Sequence, residues 1–308
     1  MKNKLTFYLY GFISGVLLLL LIGFVIDDSE ESPDFPQGYK IVSPRIPDNL
    51  DFCGERIPLE NYEVYERIDR ELVVNTYFHS ATIIEMKRAN RWFPIVEPIL
   101  RANGVPDDFK YLMVAESGIS NVVSPAGAAG YWQFIKETAL KYGLEVNSEV
   151  DERYNLEKST EAACKYLHDA DSLFGSWTMA AASFNMGFIN TQKQIQRQKA
   201  NNYYNLVLNE ETSRYVARIV AIKEIMIHPK KYGYDLKQKD LYNQEPYNLI
   251  QINGPVDDFA DFAFDHGINY KTLKLYNPWL RDSTLTNKAG KTYSIKIPVE
   301  GSIKLIKE

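Results

Sequence analysis

Glu116 stands where a helix disfavours a carboxylate. It follows the apolar run Leu112, Met113, Val114 and Ala115 in LMVAESGIS, and Gly118 two residues later is a natural helix stop. Upstream, VPDDF offers Pro106 for a first helical position and Asp107 and Asp108 for the positive end of the dipole. Glu116 then falls in the last turn, at the negative end, where Lys or Arg is favoured. The dipole and apolar surroundings both penalise the ionised form and raise the pKa. A carboxyl kept protonated near neutral pH can act as a general acid. A glutamate on a solvated helix end does nothing of the kind. LMVAESGIS alone does not separate the two readings, and it holds no second carboxylate of the sort most glycosidases pair with the first.

Three later segments carry side chains suited to a polar ligand. SPAGAAGYWQF, residues 124–134, is a Gly/Ala-rich turn running into aromatics and Gln133. AAASFNMG, residues 180–187, is a small-residue helix ending in Asn185 and Gly187. EETSRYVARI, residues 210–219, places Tyr215 one turn into a helix. Singly, each reads equally well as packing: a tight turn, a close helix contact, a core tyrosine.

In this order, however, the four segments resemble the lytic transglycosylase family, whose domain has a goose-lysozyme-like fold. The family's motifs are met as Glu116-Ser117, as Gly130-Tyr131-Trp132-Gln133, as Ser183-Phe184-Asn185-Met186-Gly187 and as Tyr215 in ETSRYV. The resemblance implies cleavage of peptidoglycan glycan between N-acetylmuramic acid and N-acetylglucosamine, leaving 1,6-anhydro ends, with Glu116 as the only acid/base and no cofactor. It implies sugar contacts from Gln133 and Asn185, with Ser117, Ser124 and Trp132 beside them, and Tyr215 orienting Glu116. Tyr131 and Phe134 are further candidates for the groove wall. Phe184 stands where the family usually has tyrosine, Ile135 where methionine is common, and the stretch from Glu116 to Ser124 is one residue shorter than usual. A lysozyme-type hydrolase and a non-catalytic glycan-binding scaffold are the competing readings.

The elements that must position these groups are mostly helical. Helix-length amphipathic segments run from 59 to 235, broken at Gly104-Val105-Pro106, Gly118, Gly143, Gly175 and Gly187. From 236 the pattern becomes strand, helix, helix, strand: YNLIQI, PVDDFADFAFDHG, NYKTLKLYNP and KTYSIKIP. This βααβ order resembles a LysM module, a binder of N-acetylglucosamine-containing glycans; a structural cap on the helical domain is the alternative. The expected fold class is thus mainly α: a lysozyme-like all-α domain at 59–235 and a small βααβ domain at 236–308.

The N-terminal part is of another kind. Lys2 and Lys4 precede an uncharged run at 5–26, long enough to cross a bilayer as a helix, and acids follow it. This charge order predicts a cytoplasmic N-terminus, an uncleaved anchor over 1–26 in the inner membrane, and a periplasmic remainder. A cleaved signal is the competing reading. Residues 27–58 are acidic and proline-rich, and predict a tether reaching on the order of 90 Å at about 3.1 Å per residue. The net charge of −5 argues against nucleic acid. Cys53 and Cys164 make neither a disulfide framework nor a zinc pattern and read as two unpaired thiols, with a single bridge between them as the alternative in an extracytoplasmic domain, and the four histidines show no metal spacing. The expected partners are peptidoglycan strands and, through the first helix, the membrane.

Overall fold

The computed structural model describes residues 41–302. The chain divides into two compact units, Met1–Ser43 and Pro44–Glu308. The predicted membrane span, and the predicted tether up to residue 40, lie outside the described residues. Among the described residues, no helix is long and apolar enough to cross a membrane.

The stretch read as tether ends earlier than its composition suggests. Strands β1 (Asp51–Phe52) and β2 (Glu55–Arg56) form a minimal antiparallel hairpin, turned by Cys53 and Gly54 at positive φ. Phe52 is fully buried, edge-on to Phe109 with ring centroids 5.3 Å apart, and Ile46 and Ile57 join the same core. Prolines and acids dominate this segment, yet three apolar side chains anchor it.

Helix α1 (Tyr62–Tyr77) is capped by Asn61, whose side chain accepts from the Glu63 N–H. It buries Val64, Ile68 and Leu72, spaced four apart on one face. Helix α2 (His79–Ala102) runs on through Pro94 and Pro98. Helix α3 (Phe109–Ser117) carries Glu116 and is buried almost all round, with Phe109, Leu112, Met113 and Val114 essentially inaccessible. A helix apolar on every side belongs in the centre of a body, and α3 packs between α2 and the later helix α8. It begins at Phe109, not Pro106, because the preceding turn is closed by tighter i→i+3 bonds, from the N–H groups of Phe109, Lys110 and Tyr111 to the carbonyls of Pro106, Asp107 and Asp108; the two aspartate side chains reach other partners. Asp107 pairs with Lys110, and Asp108 accepts from the Cys53 N–H at 2.6 Å and pairs with Lys223 at 2.7 Å.

Helix α4 (Lys136–Lys141) is short. Helices α5 (Leu156–Phe174), α6 (Trp177–Met186) and α8 (Glu210–Ile227) each have a side-chain N-cap, from Asn155, Ser176 and Asn209; α7 (Phe188–Gln198) has none. α1 and α8 pack together, as do α5 and α6, and α6 closes against α8.

The C-terminal unit has the expected order. β3 (Tyr247–Ile252) pairs antiparallel with β4 (Tyr293–Pro298), from Tyr247 opposite Pro298 to Ile252 opposite Tyr293. Helices α9 (Phe259–Asp265) and α10 (Tyr270–Tyr276) lie between them in sequence. Its core is shared: Phe259, Leu273, Trp279 and Ile295 pack in one cluster with Ala129, Val150 and Tyr154 of the helical body. Backbone bonds cross the seam, from the Asp151 N–H to the Trp279 carbonyl at 2.9 Å and from the Arg281 N–H to the Glu149 carbonyl at 2.7 Å. The unit is fused to the body, not strung after it.

Candidate active site

A groove of about 730 Å³ opens at the C-terminal end of α3, and Glu116 lies in it. Gly118 ends the helix at φ 56°, and its carbonyl accepts from Arg88 Nη1 at 2.9 Å. Glu116 is half-buried. The Tyr215 hydroxyl, itself buried, donates to Glu116 Oε1. Burial pushes the Glu116 pKa up from 4.5; the Tyr215 hydrogen bond and the Arg218 charge pull it back, and the charge of Glu211 adds to the rise, so that it comes to about 7. Burial also drives the Tyr215 hydroxyl well above its ordinary range, so it stays a donor. The side chain can thus hold or release a proton at neutral pH.

Opposite the helix end lies the loop 120–135. The Gln133 backbone takes a left-handed φ of 51°. Its amide nitrogen donates to the carbonyls of Val122 at 3.0 Å and Gly130 at 2.7 Å. With both amide protons engaged, what Gln133 offers a ligand is its carbonyl oxygen, an acceptor for an amide N–H. Ser124 Oγ accepts from the Ala128 N–H at 3.1 Å, which leaves its proton to donate. Across the groove, Asn185 is held by α8: its Oδ1 accepts from Thr212 Oγ1 at 2.7 Å and its Nδ2 donates to Glu211 at 3.2 Å. Phe184 lines the groove and packs on Phe134 and Tyr166 at 5.5 and 5.0 Å. The Tyr166 hydroxyl beside it is committed to the Ser183 carbonyl at 2.6 Å, so Tyr166 does not supply the hydroxyl that Phe184 lacks.

Glu116, Ser124, Gln133, Asn185 and Tyr215 therefore meet in one groove, with Phe134 in its wall. Ser117 and Trp132 lie behind it. Ser117 Oγ donates to the Tyr131 carbonyl at 2.7 Å and ties the end of α3 to the 120–135 loop. Trp132 is fully buried, its ring N–H on Thr160 Oγ1 at 2.9 Å. Tyr131 faces a different cavity. These three were expected at the ligand; one residue's step along a helix or a tight loop turns a side chain away from its neighbour's face. Ser117→Ala should leave the buried Tyr131 carbonyl short of a partner and cost roughly 1–3 kcal/mol in denaturant unfolding.

The sequence reading missed the charged wall. Arg70, Glu71, Arg214 and Arg218 line the groove. Glu71 is buried and pairs with Arg70 and, at 3.0 Å, with Arg214. Arg70 and Glu71 come from α1, far upstream of the recognisable segments, and only helix packing brings them here. Among the described residues no group of three or more His, Cys, Asp or Glu is arranged to hold a metal ion. Cys53 and Cys164 are both free thiols.

Residues 94–207 match the family described as transglycosylase SLT domain, and residues 248–301 match the soluble lytic transglycosylase C-terminal LysM-like domain. Glu116, Gln133 and Asn185 fall inside the first match and Tyr215 beyond it. Membrane-bound lytic murein transglycosylase D of Escherichia coli (strain K12) is 28% identical over 243 residues, covering 76% of this chain and 52% of that protein. The protein of the same name from Escherichia coli O6:H1 (strain CFT073) gives the same figures. The chain spans about half the length of these curated relatives. It carries an SLT transglycosylase domain followed by a LysM-like domain, and it is a distant homologue of membrane-bound lytic murein transglycosylase D.

Proposed function

We propose that the chain is a peptidoglycan lytic transglycosylase whose acid and base are one residue, Glu116, in a lysozyme-like domain bounded near residues 59 and 235. The observation that carries the reading is the convergence of Ser124, Gln133, Asn185 and Tyr215 on Glu116 in one groove, where Tyr215 donates to the carboxyl and burial pushes its pKa up. Protonated Glu116 gives its proton to the glycosidic oxygen as the bond to the muramic C1 breaks. The acetamido oxygen of the same sugar supports the cationic carbon, the substrate-assisted exception to the two-carboxylate rule. Glu116, now ionised, takes the proton of the muramic 6-hydroxyl as that oxygen closes on C1. The acid is restored, no water is consumed, and a 1,6-anhydro end remains. Gln133 accepts from a sugar acetamido N–H, Asn185 and Ser124 fix neighbouring polar groups, and Tyr215 aims the carboxyl.

A hydrolytic outcome is the second reading, and Glu211 favours it: this exposed acid lines the same groove and raises the Glu116 pKa. Mass analysis of glycan ends after incubation with purified peptidoglycan decides. Anhydro ends support transglycosylation, new reducing ends support hydrolysis, and no new ends at all would sink both. The chain's place in this reading is the cell envelope, anchored through residues 1–26, as the word membrane-bound in its relatives' name suggests.

The pH dependence follows from Tyr215. Its hydrogen bond favours the ionised form of Glu116, so Tyr215→Phe removes a force that lowers the pKa. Cleavage needs the protonated acid, and the wild-type rate should fall as pH rises through about 7. In Tyr215→Phe that alkaline limb should move to higher pH while the maximal rate drops through lost aim. A limb that stays put, or moves down, counts against Glu116 as the titrating acid.

A further inference from the structure

Three guanidiniums line the Glu116 groove, and the sugars of the proposed substrate carry no charge to match them. Arg214 and Arg218 stand four residues apart on α8, so they share a face. Arg70 comes from α1, which packs on α8. Arg70 and Arg214 are held by one buried carboxylate. Both pair with Glu71 Oε1, Arg214 at 3.0 Å, and Arg214 pairs again with Glu210 at 2.9 Å. A guanidinium has five N–H groups, and these contacts use only some of them. Arg218 is different. It is exposed, and among the described residues it makes no ion pair; its charge acts at longer range on Glu116 and, on α2, on Glu85. The remaining acid of the lining, Glu211, accepts from Asn185. With Glu116 protonated, the lining carries three cations against two anions. Val74 and Phe78, both exposed, extend the same lining at the end of α1.

An ion network that only braced the fold would account for Arg70 and Arg214, but it leaves Arg218 idle. Arg218 is also ill placed beside a general acid, because its charge pulls the Glu116 pKa down. Both facts are explained by an anion that arrives with the substrate. On the glycan the sugars are neutral acetamides; the ionised carboxylates belong to the short peptides borne by the muramic lactyl groups. We infer that the wall built from α1 and α8 is a subsite for this acidic peptide, with Arg218 taking one of its carboxylates, Arg70 and Arg214 flanking it, and Val74 and Phe78 meeting its apolar parts. The planar fork of a guanidinium suits a carboxylate. A carboxylate docked there also offsets the pull of Arg218 on Glu116, so the anionic substrate helps the acid keep the proton it must give. This inference rests on the proposed glycan substrate and makes the groove selective for glycan that carries charged peptides.

The test compares soluble glycan strands bearing free-acid peptides with the same strands after conversion of the peptide carboxylates to primary amides. At about pH 5.5 Glu116 is protonated and the peptide carboxylates are ionised. The full-length chain should there favour the acidic strands about tenfold in kcat/KM, mainly through KM, the equivalent of one charge-assisted contact. In Arg218→Gln, which breaks no ion pair of the fold, that preference should shrink to about twofold or less. Equal kcat/KM for the two substrates in wild type, or a preference that survives Arg218→Gln, overturns the subsite. Strands stripped of their peptides keep only the lactyl carboxylate and should behave as the amidated ones do. If they match the acidic strands instead, the anion is the lactyl group and the peptide assignment falls. Binding of the same substrates to the Glu116→Gln chain separates the two readings. There the preference and its loss in Arg218→Gln should persist without cleavage, so a wild-type chain that cuts nothing fails as a transglycosylase, and one that cuts without preference fails only at this subsite.

Discussion

Glu116→Gln is expected to slow peptidoglycan cleavage by about 10²–10⁴-fold, the range that general acid–base catalysis supplies, while sedimentation with sacculi is retained. Glutamine keeps the size of the side chain and an oxygen for the Tyr215 hydroxyl, so the loss is one of proton transfer alone. The same substitution has a second, opposite effect. The Glu116 pKa is about 7 in the fold against a reference of 4.5, so the folded chain holds this proton more tightly than the unfolded one. The resulting cost to stability is absent below about pH 4.5, grows as pH rises towards 7, and is constant above it. At about 1.36 kcal/mol per factor of ten in affinity, it amounts to on the order of 3 kcal/mol. Glutamine carries no such cost. Relative to wild type, Glu116→Gln should therefore gain stability between pH 4 and pH 8 in denaturant unfolding, as it loses activity. A stability difference that does not change over this interval would mean that the fold does not hold Glu116 protonated.

Gly130→Ala is the second large effect, and it acts through backbone. Gly130 sits at φ 82°, and a Cβ there would lie 1.9 Å from the Arg153 carbonyl oxygen and 2.6 Å from its carbon. The left-handed conformation costs a residue with a Cβ about 1–2 kcal/mol, and forced displacement of a packed neighbour adds about 1–3 kcal/mol. Arg153 cannot yield cheaply. Its guanidinium holds Asp151 at 2.7 Å and the carbonyls of Gly127 and Phe134 at 3.0 and 3.1 Å. The expected loss is about 2–5 kcal/mol in denaturant unfolding, with the loop displaced and cleavage reduced even well below the melting temperature. Gly127→Ala is the control. That glycine also has a positive φ, 79°, but nothing lies within 4 Å of its added carbon, so only the conformational cost of about 1–2 kcal/mol applies. Equal losses in the two variants would remove the Arg153 contact from the explanation.

The helix-end position of Glu116 was legible because it rested on local rules: an apolar run, a glycine stop and a dipole. The C-terminal unit was legible for a similar reason, since alternation in KTYSIKIP and the short amphipathic helices need no distant partner to be seen. Directions of side chains were harder. Ser117, Tyr131 and Trp132 belong to recognisable segments, yet positive φ at Gly118, Gly130 and Gln133 turns the chain so that adjacent residues face different cavities. The hairpin around Phe52 was hidden by the prolines about it. Arg70, Glu71, Arg214 and Arg218 gave no signal, because their common location is a product of packing α1 against α8, and no spacing along the chain encodes it.

The shared core of the C-terminal unit also sets an order of events. Ala129 and Tyr154 belong to the support of the Gln133 loop, but the surface they pack on is made by Phe259, Leu273 and Ile295, which lie far later in the sequence. Contacts so distant in sequence form late and are paid for in loop closure before they stabilise anything. The helices can gather around α3 before these contacts exist, while the loop that carries Gln133 is fully supported only once β4 has packed. A chain cut ahead of Phe259 is thereby expected to keep a folded helical body while the loop that carries Gln133 loses part of its support.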